Sequence, residues 1–288
     1  MHVLHERPLL LLIIDLNLII KNFVESIEAL TIDAKKYYES PDNDRSSDRF
    51  QVIVGQVNPS FNKTKKLKQI CMDILSIITT MNSDILSVQD FNLLKSYIKT
   101  RVENRQLGSP ERSGGIIFAS GTTDYNTLRI SFSNEKMRNI ACVSHELGHL
   151  IFFIKIPEER IKSLWGKDSI IQEDNDANKN WHKDNIAKND SDLFTVMVHI
   201  EELIAHCFTL GILKACNFTK YSLFLEILEE VSDDPEHSVP KIALKNLLNT
   251  SHQMDDNIDW FGKAYNAINL YYSQPITSFD TFFKSLFI

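Results

Sequence analysis

His145-Glu146-Leu147-Gly148-His149 sets two histidines four residues apart, with a glutamate directly after the first. On an α-helix this spacing stacks both imidazoles on one side, one turn apart, where they can reach a single tetrahedral zinc ion. The pattern is one spelling of H-E-x-x-H, a motif whose chemistry is water activated by zinc, with the intervening glutamate as base and not as ligand.

Five residues can fall into this order by chance, so the flanks matter. Upstream, Ser131-Phe132-Ser133-Asn134-Glu135-Lys136 offers capping residues and a carboxylate for a first helical turn. Met137, Ile140, Val143, Leu147, Leu150, Ile151 and Ile154 then recur at intervals of three and four, an apolar stripe that leaves His145 and His149 on another side. Gly148 costs a helix about 1 kcal/mol relative to Ala. Its place beside His149 therefore predicts that another backbone or a metal-bound ligand comes close there.

A catalytic zinc takes three protein ligands and keeps a fourth position for water, so one more His, Asp or Glu is needed. The metzincin continuation is excluded, because Phe152 stands where its glycine should be and Lys155 where its third histidine should be. An aspartate four residues after the second histidine is also missing, since position 153 is Phe. The best downstream segment is the apolar helical run from Val196 to Phe208, which carries two adjacent acids. Around Glu201 the neighbours one turn away are Met197, Val198, Ile204 and Ala205; around Glu202 they are Val198, His199, Ala205 and His206. Glu202 thus lies on a polar seam and is the expected ligand, with Glu201 as the alternative. His206, one turn on, is expected to hydrogen-bond a ligand and fix its orientation.

HELGH followed at long range by E-x-x-A-x-x-F, here Glu202 to Phe208, resembles the gluzincins, particularly the catalytic domain of anthrax-lethal-factor-type peptidases. HELGH is also similar to the ImmA-type regulators that cleave phage repressors. The resemblance spans roughly Gly114 to Cys216 and supports Glu202 as ligand. It implies a zinc-dependent metalloendopeptidase acting on a selective protein substrate: an effector directed at a host protein on the first likeness, a regulator that removes a repressor on the second. One departure stands out, because the lethal-factor type carries a tyrosine seven residues before its ligand glutamate, thought to assist the transition state, and position 195 here is Thr. That substitution gives weight to a third reading, a zinc-holding fold of slow turnover that serves as a binding module.

In the peptidase reading, His145, His149 and Glu202 hold Zn2+, and Glu146 takes the proton of the attacking water and returns it to the leaving amine. Tyr125, His182 and His199 are the candidate donors to the developing oxyanion, and spacing does not choose among them.

Just upstream of the motif helix, Gly114 to Ser120 and Thr127 to Phe132 read as two short strands joined by the turn at 121–126. They could align an extended substrate by edge pairing or merely cover the core. Farther toward the N-terminus a polar loop at 39–48 precedes a strand from Phe50 to Val57, then helices near 64–81 and 88–103 and a loop at 108–115. Residues 166–192 form a long polar insertion, either a lid or a tolerated loop. From Tyr221 the pattern is helical, and Trp260, Phe261, Tyr265, Tyr271, Tyr272, Phe279, Phe282, Phe283 and Phe287 read as core. The expected fold class is accordingly α+β, mainly helical: a zincin-like core with a small sheet beside the H-E-x-x-H helix and a helical C-terminal part. Residues 1–107 form a mixed α/β region and 108–288 the catalytic region, or the two are one continuous domain.

Length and composition, 288 residues of which 43% are hydrophobic, suffice for a sizeable core and exclude disorder. A net charge of −7 disfavours a nucleic-acid partner, and the basic run from Lys63 to Lys68 reads as a solvated helix start. Cys71, Cys142, Cys207 and Cys216 sit in apolar helical patterns and read as reduced thiols, which favours a reducing compartment. The apolar run at 9–20 is interrupted by Asp15 and Asn17 and is too short for a membrane span, so a buried strand or helix is expected. These features imply a cytoplasmic location, or export without a signal peptide into a host cytosol.

Overall fold

The computed structural model describes residues 6–39, 61–104, 115–117, 127–130, 132, 135–155, 193–218, 235–250, 258–273, 276 and 278–287. By their contacts the residues form two compact units, one of 1–117, 127–144 and 212–217, the other of 118–126, 145–211 and 218–288.

The first unit is built on α1 (Glu6–Glu39) packed along α2 (Phe61–Met81). Phe23, Ile27, Leu30 and Ala34 recur at three and four on α1 and are buried, as are Leu67, Ile70, Ile74 and Ile78 on α2. The apolar run at 9–20 is therefore helical, as part of α1. Lys65 and Lys66, from the basic run at 63–68, are exposed near the start of α2. Helix α3 (Val88–Arg101) opens with a capping box, in which Ser87 Oγ accepts from the Asp90 amide and Asp90 Oδ2 from the Ser87 amide. It stops at Arg101 because Val102–Asn104 turns into strand β1, which shortens the helix expected to reach 103. Strand β3 (Thr127–Ile130) lies between β1, which it pairs in parallel, and β2 (Gly115–Ile117), which it pairs antiparallel. The N-terminal half of α4 (Lys136–Lys155) joins this unit through Lys136, whose Nζ lies 2.7 Å from Glu28 Oε2, and through buried Asn139, which donates to Thr31 Oγ1 over 2.8 Å.

In the second unit the described residues are helical or short connections. It contains the rest of α4, α5 (Leu193–Ala215) as far as Gly211, α6 (Pro235–Thr250), α7 (Trp260–Ser273) and α8 (Phe279–Phe287). Asp259 opens α7, its Oδ1 accepting from the Gly262 amide over 3.0 Å. The core is aromatic: Phe208 meets Phe261, Phe152 meets Tyr271 edge-on, and Trp260 meets Phe287. The C-terminal aromatics are thus core residues in the main, with Tyr265, Tyr272 and Phe287 half-buried.

The expected α+β class with a zincin-like core is corrected by this arrangement. Helices account for nearly all the regular structure described, and the strands among the described residues are of three, three and four residues. Those strands belong to the first unit, whereas His145, Glu146, His149 and Glu202 belong to the second, in which no strand occurs among the described residues. Three paired residues are too few to form a core layer of their own, and in the first unit α2 packs on both α1 and β1, where Val102 is buried. The expected strand Phe50–Val57, the loops at 39–48 and 108–115, the turn at 121–126 and the insertion 166–192 lie wholly or mainly outside the described residues.

Candidate metal centre

The centre begins with a close approach of two helices. A Cβ on Gly148 would stand 2.8 Å from Ala205 Cα and 3.2 Å from Phe208 Cδ2, so glycine is what lets α4 meet α5 there. Ala205 and Phe208 are the small and aromatic members of E-x-x-A-x-x-F, and their part here is packing. His149 follows Gly148 and Glu202 lies three residues before Ala205, so this one crossing carries an imidazole and a carboxylate to the same place.

His145 Nε2 lies 3.1 Å from Glu202 Oε2, His149 Nε2 lies 3.5 Å from Glu202 Oε1, and the two Nε2 atoms are 3.0 Å apart. The donor atoms of His145, His149 and Glu202 fall within 4.8 Å of one another, a spacing that could hold a metal ion. Two imidazole nitrogens and a carboxylate suit zinc and leave a fourth tetrahedral position for water. His149, Glu202 and Glu146 are buried, and the His145 side chain keeps 14% exposure, a narrow opening to solvent on that side.

The electrostatics also suit a cation. Burial opposes charge on His149, but Glu202, Glu201 and Glu146 outweigh it and raise its pKa from 6.5 to about 10. Three carboxylates around two imidazoles make a negative hollow, one that a divalent ion would neutralise at the position the nitrogens define.

Glu201 is placed differently from its neighbour. Its Oε1 accepts from His149 Nδ1 over 2.9 Å, on the side of the ring opposite Glu202. Glu201 thus makes an orienting hydrogen bond to His149, and the His206 ring lies against that of His145 with centroids 4.8 Å apart. His199 is buried edge-on to Phe279 at 5.9 Å. Tyr125 and His182, the other candidate oxyanion donors, lie outside the described residues, as does the side chain of Thr195. The sequence signal for Glu201 was its ring of apolar neighbours: a carboxylate among Met197, Val198, Ile204 and Ala205, all buried, must find a partner.

Among the described helices α5 has the length and apolarity of a membrane span from Val196 to Ala215, but 94% of that stretch is buried inside the fold. No protein-family model matches the chain, and no curated protein or solved structure matches it.

Proposed function

We propose that this protein is a zinc-dependent metallopeptidase that cleaves peptide bonds within a selective protein substrate. The observation that carries the reading is the convergence of His145, His149 and Glu202 within 4.8 Å, with Glu146 on the turn between the two histidines. Zinc held by these three side chains would lower the pKa of a water to about 7 and polarise a substrate carbonyl. With the ion bound, Glu146 would take one proton from the attacking water and pass it to the amide nitrogen as the C–N bond breaks. The products are an amine and a carboxylic acid, which then ionises and releases the water's second proton. The burial of Glu146 keeps competing water from the proton path. The HELGH and E-x-x-A-x-x-F resemblance favours a peptide bond over other carbonyl substrates.

Glu146→Gln removes the base without touching a ligand, so it should keep bound zinc and fold while cleavage falls at least 100-fold. The test is to profile new protein N-termini in bacterial and eukaryotic lysates treated with zinc-loaded wild type or Glu146→Gln. A few termini made by wild type alone would support a selective endopeptidase, and their owners would show whether the target is a host protein or a repressor of the producing cell. Equal termini with both proteins would overturn the mechanism.

A further inference from the structure

We infer that Glu201 is a positioning residue of the centre: it receives the Nδ1 proton of His149 and so commits Nε2, with its lone pair, to the metal. This inference rests on the metal reading above and extends it from three ligands to the group that aims one of them.

Successive helical residues diverge by about 100°, and Glu201 and Glu202 use that divergence to bracket one imidazole. Glu202 Oε1 approaches the Nε2 edge of His149 at 3.5 Å, and Glu201 Oε1 takes the opposite edge at 2.9 Å. A metal ion would displace the proton from one ring nitrogen, and the carboxylate at hydrogen-bond distance from Nδ1 keeps the remaining proton there. The Nε2 lone pair is then left facing His145 Nε2, 3.0 Å away, and the carboxylate of Glu202. Glu201 itself does not join the group of donors, since its oxygen is engaged behind the ring. Buried like His149 and Glu202, it holds His149 from a position on a helix and not from a loop.

The test is zinc affinity by chelator competition, with the visible spectrum of the cobalt-substituted protein as second readout, for wild type, Glu201→Ala, Glu201→Gln and Glu202→Ala. Glu201→Ala should bind one ion per chain roughly 100-fold more weakly, with an altered cobalt band because the ring is free to turn. Glu201→Gln keeps an acceptor of the same shape for Nδ1–H, so it should lose only about tenfold and retain the wild-type band. It also keeps the inference testable should Glu201→Ala fail to fold. Wild-type affinity in both Glu201 variants would overturn the inference and leave the metal reading intact. Loss of the ion in Glu201→Ala with retention in Glu202→Ala would overturn it by making Glu201 the ligand. A wild-type protein that takes up no zinc would fail the metal reading itself, before any variant is compared.

Discussion

The division of labour between Glu201 and Glu202 is a residue-scale matter with a large consequence. Both are acids, both are buried, and they are adjacent, yet only Glu202 faces both Nε2 atoms. Glu202→Gln replaces the carboxylate of the proposed ligand with a neutral amide and leaves His145 and His149 in place. The purified variant should retain about a tenth or less of the zinc held by wild type after gel filtration, because one of three protein donors loses its charge. Zinc retained at one ion per chain would rule out Glu202 as a ligand. Much of this was legible in sequence, because i, i+4 histidines on a helix share a side whatever the fold around them. The seam of Val198, His199, Ala205 and His206 marked Glu202 for the same reason. The role of Glu201 was not legible, since it depends on which edge of His149 meets the second helix, and that is fixed by the crossing of two segments some fifty residues apart in sequence.

At the scale of elements, everything in the centre hangs on how closely α4 and α5 approach at Gly148. Alanine there would favour the helix by up to about 1 kcal/mol, but its methyl would meet the backbone of Ala205 at 2.8 Å. Backbone cannot swing aside like a flexible side chain, so α4 and α5 must separate, at a typical overpacking cost of about 1–3 kcal/mol. Gly148→Ala should therefore be less stable to urea than wild type and should also bind zinc more weakly, because the same separation draws Glu202 from His149. Wild-type zinc affinity in this variant would show that the crossing does not set the site. Glycine within an apolar helical pattern announced a close approach, and the spacing marked the helices α2 to α5, whereas of α1 it marked only 9–20, as a strand or a helix. The two runs read as strands, 114–120 and 127–132, do contain β2 and β3, which pair antiparallel, but the strands are shorter than those runs. Among the described residues the sheet is therefore smaller than predicted and lies in the first unit, while the helices carry most of the structure.

At the scale of the whole molecule, each compact unit buries a thiol completely: Cys71 in the first and Cys207 in the second. Burial pushes both thiols up from an ordinary 9.0, with Asp73 adding to the rise at Cys71 and Lys263 offsetting a little of it at Cys207. In the unfolded chain both would ionise near the ordinary value. A folded pKa raised above the unfolded one stabilises the fold fully below about pH 9 and less as pH climbs toward the folded value. Each thiol then withdraws about 1.4 kcal/mol per pH unit above 9. Because one thiol sits in each unit, neither unit should serve as an alkali-resistant remnant, and the loss between pH 8.5 and 10 should appear in the unfolding of both. Tyrosine and lysine titrate in the same range, so the measurement is a comparison: urea unfolding across that window for wild type and for Cys71→Ala/Cys207→Ala. The double variant starts less stable at pH 7, because two filled positions become small cavities, but its stability should fall less steeply with pH. Parallel curves would mean that the buried thiols do not govern the alkaline limit, whereas a flatter variant curve would tie that limit to the two cores that hold the helices, and with them the metal centre, in place.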